Sequence, residues 1–238
     1  MNKLIALLIV VLVALLAACG SESQDTADAT AENDSLNTAL SGDELLYLEA
    51  SEKLVAKFSR ELQTELISAI NQGGPAGAIS VCQVKAPEIA QANSAGGWSI
   101  RRVTDRFRNP DNRADSLETS ILASFADTAG SVPEYLFDWI ESDSARSFRF
   151  YKPIRIKPLC LKCHGGLQTL ASGVYETLKK KYPLDRAIEY KTGDLRGMFV
   201  VEASWPEGKV QAGLIANDLI SEEPSAATAE GDSGAVAQ

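Results

Sequence analysis

Cys160-Leu161-Lys162-Cys163-His164 is the stretch whose residue types and spacing set up the most specific chemistry in the chain. Two thiols three positions apart, followed at once by an imidazole, form the C-x-x-C-H pattern of covalent c-type haem attachment. The thiols add across the two vinyl groups of the porphyrin, and the imidazole is placed to ligate the iron. His164 is the only histidine in the chain, so the opposite face of the iron must be served by another residue type or left open. The competing metal for such a pattern is structural zinc, with Cys82 as a fourth ligand in a Cys₃His set. Haem is the better match, because the histidine directly follows the second cysteine and the chain begins like an exported protein.

The soft donors left for the second axial position are Cys82 and Met198, since Met1 goes with the signal segment. Lysine, water or an open site are the other options. Met198 lies in the apolar run Gly197-Met198-Phe199-Val200-Val201, where a methionine ordinarily fills core space. Cys82 sits beside Ile79 on one face of a short amphipathic helix, a position that also suits a small buried apolar residue. A thiolate would stabilise ferric iron and lower the potential, whereas methionine would raise it. Five arginines, Arg101, Arg102, Arg106, Arg108 and Arg113, fall within thirteen residues, and guanidinium groups are suited to the two propionates of a haem.

Positioning these groups calls for a mixed α+β scaffold. The pattern predicts a helix of about seven turns from Asp43-Glu44, with Leu48, Val55, Leu62 and Ala69 on one stripe, ended by Gly73-Gly74-Pro75. A second helix spans about Ala76 to Lys85 and carries Cys82. Pro87 opens a third, running to Asn93. Trp98 to Val103 reads as a strand, Arg106 to Arg113 as a loop and Asp115 to Phe125 as a helix. Tyr135–Ile140 and Ser147–Ile156 alternate as strands, the second with Phe148, Phe150, Ile154 and Ile156 on one face and Arg149, Tyr151 and Arg155 on the other. Pro153 calls for an edge position or a bulge. A helix at Val174–Tyr182 and a strand at Arg196–Ser204 complete a small antiparallel sheet with flanking helices.

The ends of the chain have a different character. Residues 1–18 read as a signal peptide: Lys3, then an apolar run, then small residues. Leu16-Ala17-Ala18-Cys19 matches a bacterial lipobox, which makes Cys19 the expected site of acylation and the mature N-terminus. Gly20, in place of an aspartate, favours the outer over the inner membrane of a diderm cell. Residues 19–42 are expected to be a flexible acidic tether, 43–215 the folded domain and 216–238 a disordered acidic tail. From Gly20 to Glu44 there are seven acids and no base, and from Asn217 to Gln238 five acids and no base. The net charge of −9 therefore belongs to the ends, and residues 45–216 carry 20 acids against 22 bases. No basic stripe with interleaved aromatics speaks for nucleic acid.

The same residues also carry a family resemblance. Gly73-Gly74-Pro75, Ala78-Ile79-Ser80-Val81-Cys82, Ala86-Pro87-Glu88-Ile89-Ala90, Ile100-Arg101-Arg102 and Arg108-Asn109-Pro110-Asp111-Asn112 come first. Tyr151-Lys152-Pro153-Ile154, the cysteine motif with Gly165, Tyr182-Pro183, Asp185-Arg186-Ala187, Tyr190 and Gly193-Asp194-Leu195-Arg196-Gly197 follow in order. Over about residues 45–205 the chain resembles the c-type haem PAS-like domains first catalogued as a domain of unknown function, found alone or as sensor halves of signalling proteins. The resemblance implies one covalent haem c with His164 and Cys82 as axial ligands, and it singles out Arg102 and Arg108 among the arginines. Met198 departs from the small residue usual there and keeps a ligand-switch variant open.

Three functions compete on these grounds. A redox or gas sensor would use loss of the Cys82 thiolate on reduction to admit CO or NO, and would need a separate protein to read it. An electron-transfer cytochrome would pass electrons between periplasmic or membrane carriers. An enzyme such as a peroxidase is disfavoured, because the only imidazole is committed and none is left for acid–base work. The sequence thus predicts a non-enzymatic, membrane-tethered monohaem protein, with a homodimer through the long first helix as one option.

Overall fold

The computed structural model describes residues 40–126, 132–142 and 144–218. The signal segment, Cys19, the tether and nearly all of the acidic tail lie outside the described residues. Two compact units divide between Leu45 and Leu46, and of the first only residues 40–45 are described. There Ser41 and Glu44 close a reciprocal cap, the Ser41 amide donating to Glu44 Oε2 at 2.7 Å and the Glu44 amide to Ser41 Oγ at 3.2 Å. No described helix is long and apolar enough to cross a membrane.

Helix α1 runs Gly42–Gly77, and at Gly74 its backbone leaves the helical region (φ 67°, ψ 178°), so the expected stop is a sharp kink followed by one more turn. The short helices α2 (Ile79–Gln83) and α3 (Lys85–Ala92) follow, with Pro87 in the first turn of α3 where its missing N–H costs nothing. Strand β1 is Trp98–Val103, a 3₁₀ turn Pro110–Asn112 follows, and α4 is Ser116–Ala126. Strands β2 (Leu136–Glu141) and β3 (Arg146–Arg155) form a hairpin. A 3₁₀ turn Pro158–Cys160, the single-turn helix α5 (Leu161–His164) and α6 (Val174–Lys181) come next, then β4 (Leu195–Trp205) and α7 (Gly208–Ala216).

The sheet is antiparallel throughout in the order β1-β4-β3-β2, so the protein is α+β as expected. Pro153 lies beyond the end of the β2–β3 ladder, where β3 has only β4 beside it, and the register slips just afterwards between Ile154 and Arg155. A proline costs least where no ladder hydrogen bond is lost.

Helices cover both faces of the sheet. On one face Tyr47 of α1 meets Trp98, Trp139 and Phe148 at ring separations of 5.3–5.4 Å, and Phe58 meets Phe199 edge-on at 5.6 Å. Each fully buried ring contributes roughly 1.5–3 kcal/mol. On the other face Val103, Leu122, Phe125, Tyr151, Met198 and Val200 form a second core. Tyr151, on the β3 face opposite to Phe148 and Phe150 as expected, is therefore buried at 2% exposure although Arg149 shares that face. Helix α4 is held there by Glu118, a buried carboxylate that pairs with Arg101 of β1 and also accepts from the Asp115 amide at 2.9 Å.

The sequence reading contained no helix after β4. Helix α7 packs through small residues: Gly208, Ala212 and Ala216 are buried at four-residue spacing, and the Gly208 carbonyl accepts from Trp98 Nε1 at 2.8 Å.

Candidate functional site

The cysteine motif hangs from the end of β3. Ile156 is tied on both sides to the turn before β4: its amide donates to the Asp194 carbonyl and its carbonyl accepts from the Gly193 amide, each at 2.9 Å. Pro158 starts the 3₁₀ turn and α5 continues it, so Cys160, Cys163 and His164 follow one another around a single helical turn. Cys160 packs on Ile156, Ala187 and Tyr190, while Cys163 packs into a separate cluster with Ile79, Val174, Leu178 and Tyr182. Both are half-buried free thiols. Burial pushes the Cys163 thiol up from its ordinary value, opposed by Arg108 and reinforced by neighbouring Cys82 and Cys160.

His164 is fixed in tautomer and in charge. Its Nδ1 lies 2.7 Å from the Ala187 carbonyl oxygen, which can only accept, so Nδ1 carries the proton and Nε2 keeps its lone pair. Burial, then the positive charges of Arg196 and Arg108, hold the imidazole well below the usual histidine range, although the Ala187 bond pulls the other way. The ring is neutral near pH 7, as a metal ligand must be.

Arg108 builds the frame around that histidine. It is 5% exposed. Its Nε donates to Asp185 Oδ2 at 3.1 Å, and its Nη2 donates to the carbonyls of Cys163 at 2.7 Å and Ala187 at 3.1 Å. Asp185 Oδ1 in turn accepts from the Ala187 amide at 2.8 Å. One guanidinium thus ties the motif to the 185–187 turn, and the Arg108 charge is already answered by Asp185.

Arg102 differs. It is half-buried, with its guanidinium 5.8 Å from the Phe58 ring centre, and among the described residues it has no carboxylate in ion-pair range. Burial lowers its pKa, and only Cys82 and Tyr182 offset this. Cys82, half-buried on α2, is therefore within electrostatic reach of Arg102, Cys163 and Tyr182. The Tyr182 hydroxyl is buried and has no hydrogen-bond partner among the described residues, and burial pushes its pKa up to about 12. A cleft of about 330 Å³ lies alongside, lined in part by Gln83, Arg108, Asn109 and Tyr182.

The structure thus gathers Cys82, Arg102, Arg108, Cys163 and His164. It sets Met198 apart: this side chain is fully buried among Leu122, Phe125 and Tyr151, on the face of the sheet opposite to Arg102 and Phe199. Sequence reasoning passed over the supporting roles of Asp185, Ala187, Tyr190 and Arg196. Arg106 lies 4.0 Å and Arg196 5.7 Å from the Tyr190 ring centre, and that ring meets His164 edge-on at 6.2 Å. Ala187 acts through its backbone, which leaves no residue-type signal. Among the described residues no group of three His, Cys, Asp or Glu side chains converges to hold a metal ion by itself.

These residues fit a porphyrin in three respects. The site offers an imidazole with a free Nε2, an uncompensated cation at half-buried depth and an orphaned buried hydroxyl. The solved structure described as the crystal structure of the cyanobacterial heme-protein Tll0287 is similar at 26% identity and a TM-score of 0.45, covering 64% of this chain and 94% of that one. Curated proteins give no match. The Tll0287-like family model matches residues 25–204, about three-quarters of the chain. The chain belongs to the Tll0287-like family.

Proposed function

We propose that this protein carries one covalent haem c, joined through Cys160 and Cys163, and acts in redox or gas sensing from a lipid tether at Cys19 on the periplasmic side of a membrane. The observation that carries the haem assignment is the arrangement at His164: Nδ1 is capped by the Ala187 carbonyl, and Nε2 is left as a neutral donor one residue from Cys163. Cys82 is the second axial donor, because it is the soft side chain within electrostatic reach of Cys163 and Arg102, whereas Met198 is spent on the opposite core. Arg102 holds a propionate, which would supply the negative charge its surroundings lack, and Arg108 holds the His164 turn. The haem, when bound, supplies a one-electron couple and, if a protein ligand is displaced, a place for CO or NO. With a porphyrin providing four ligands, the iron needs only these two side chains. The PAS-like sensor architecture that the sequence resemblance implies, together with the presence of a single histidine in the chain, favours a non-enzymatic role.

The test is spectroscopic. Protein from a host with a working cytochrome c maturation pathway gives a pyridine haemochrome spectrum of thioether-bound haem. Its ferric spectrum shows thiolate–imidazole ligation that Cys82→Ala abolishes, and reduction opens the site to CO. Colourless protein overturns the haem assignment. A ferrous form that keeps both protein ligands and ignores CO overturns gas sensing and leaves electron transfer.

Electron transfer is the second reading, favoured by the distribution of exposed lysines around the motif, which calls for a charged partner.

A further inference from the structure

Two sets of lysines contrast in their surroundings. Lys53, Lys57, Lys85 and Lys152 each have a carboxylate within 2.5–3.4 Å. Lys157, Lys162, Lys180, Lys181 and Lys191 are exposed, and among the described residues none has a carboxylate in ion-pair range. All five unpaired lysines sit on segments that wrap the cysteine motif. Lys157 precedes the 3₁₀ turn and Lys162 lies between the two cysteines. Lys180 and Lys181 end α6, whose Val174 and Leu178 pack with Cys163. Lys191 follows Tyr190, whose amide donates to the His164 carbonyl at 3.0 Å and whose side chain packs with Cys160.

Between Ile156 and Asp194 there are seven bases and four acids, and the acids do not neutralise these lysines. Asp185 is taken by Arg108 and Glu176 faces Lys179 at 3.9 Å. Asp194 accepts from the Lys191 amide at 2.7 Å and Glu189 from the Leu167 amide at 3.0 Å. Three leucines on the same segments are open to solvent: Leu159 at 38%, Leu167 at 50% and Leu184 at 64%. Exposed apolar residues set among unpaired charges of one sign mark a surface for transient, electrostatically steered association.

We propose that the segments around Cys160 and Cys163 form a docking surface for a protein partner that presents an acidic patch and exchanges one electron with the haem. The location rests on the haem reading above: thioether bonds to two half-buried cysteines hold one edge of the porphyrin at this surface. A partner must approach that edge to exchange an electron, and bases outnumber acids on the segments that surround it. Lysines left unpaired here supply a local field of the opposite sign, which raises the encounter rate without requiring tight binding.

The first experiment does not depend on the haem. Acetylation footprinting of the full-length protein is run with and without poly-L-glutamate as a stand-in acidic surface. Lys157, Lys162, Lys180, Lys181 and Lys191 are expected to be protected about fivefold or more, with Lys53 and Lys85 unchanged, and protection is expected to vanish at high salt. Uniform protection, or none, overturns the proposal. So does finding these lysines already shielded without the polymer and exposed when Glu222, Glu223, Glu230 and Asp232 are neutralised, because the chain's own tail is then the occupant.

The second experiment uses the reduced holoprotein and ferricyanide, in which one electron leaves the ferrous iron and yields ferrocyanide. The rate is expected to fall roughly tenfold as salt rises, despite the net negative charge of the protein. A combined Lys162→Glu, Lys180→Glu, Lys181→Glu variant reverses the salt dependence, and a Lys53→Glu, Lys85→Glu variant does not. A rate that rises with salt in the wild type overturns the docking surface and leaves the haem assignment standing. Absence of a haemochrome spectrum overturns the haem assignment, while the footprint still judges the patch.

Discussion

Arg108 and His164 share one acceptor. The Ala187 carbonyl oxygen receives Arg108 Nη2 at 3.1 Å and His164 Nδ1 at 2.7 Å. The oxygen has two lone pairs, so both bonds form at once, and the arginine fixes the carbonyl that fixes the imidazole. The other arms of the guanidinium hold Asp185 and the Cys163 carbonyl, so the motif and the 185–187 turn move as one body.

Arg108→Ala is therefore expected to act twice. It strands the Asp185 carboxylate, which is 9% exposed, at a cost of about 3–5 kcal/mol, read as a lower urea midpoint at unchanged slope. It also releases the His164 ring, broadening the ligation spectrum of the surviving folded protein. Arg108→Lys keeps the charge beside Asp185 but cannot reach two carbonyls, so it restores part of the stability and little of the spectral sharpness. A purely structural Arg108 would give parallel recovery of both.

Gly197 carries a backbone constraint of a different kind. Its φ is 155°, and a Cβ there would sit on the Val103 carbonyl oxygen and 3.1 Å from Thr104 Cβ. The carbonyl belongs to the end of β1 and cannot swing away as a flexible side chain would. Gly197→Ala is expected to destabilise the fold by roughly 1–3 kcal/mol in chemical denaturation, with loosening at the β1–β4 end beside Arg196. An unchanged midpoint would show that this end of the sheet is already mobile.

Much of this architecture was legible because the responsible signals are local. Strand β1 has the predicted bounds because Trp98, Ile100 and Arg102 alternate with Ser99 and Arg101 between a Gly-Gly turn and a loop. Spacing alone singled out Cys160, Cys163 and His164, and the fold sets them around one helical turn. What failed to read depended on partners distant in sequence. Alternation on β3 put Tyr151 on one face with Arg149 and Arg155, but it could not show that α4 lies over Tyr151 and buries it. Helix α7 was missed because, apart from Ile215, its buried residues are Gly208, Ala212 and Ala216, too small to register as an apolar stripe. Arg108 was paired with Arg102 by the family resemblance, and only the fold shows that one is spent on Asp185 and backbone while the other has no carboxylate partner among the described residues.

Tyr182 makes a pH prediction. Burial first, then the proximity of Cys82, raise its pKa from 10.0 to about 12. The neutral phenol is favoured in the folded state, so its contribution is fully present below pH 10 and is lost as pH rises through about 12. The shift corresponds to about 3 kcal/mol of alkaline destabilisation from this group. Tyr182→Phe also removes a buried hydroxyl that has no partner, so the variant is expected to match the wild type near neutrality and to exceed it above pH 10. Urea midpoints of the two proteins across that window check this. Curves that stay parallel assign the alkaline limb to Tyr151 and Tyr190, whose values burial also raises.

Cys82→Met tests the second axial position by sign. Cys82 lies on α2, half-buried, eight residues after the kink at Gly74, so a methionine can extend from the same backbone. A thiolate adds a negative charge to the iron and favours the ferric state, while a thioether is neutral and favours the ferrous state. The substitution is expected to raise the reduction potential by on the order of a few hundred millivolts, within the roughly 0.8 V that axial ligands span. Potentiometric titration of both proteins measures it. Met198 cannot produce the same shift, because its side chain is enclosed by Leu122, Phe125 and Tyr151 on the far side of the sheet. A potential that does not move on Cys82→Met removes Cys82 from the iron, whatever the spectrum of the parent protein.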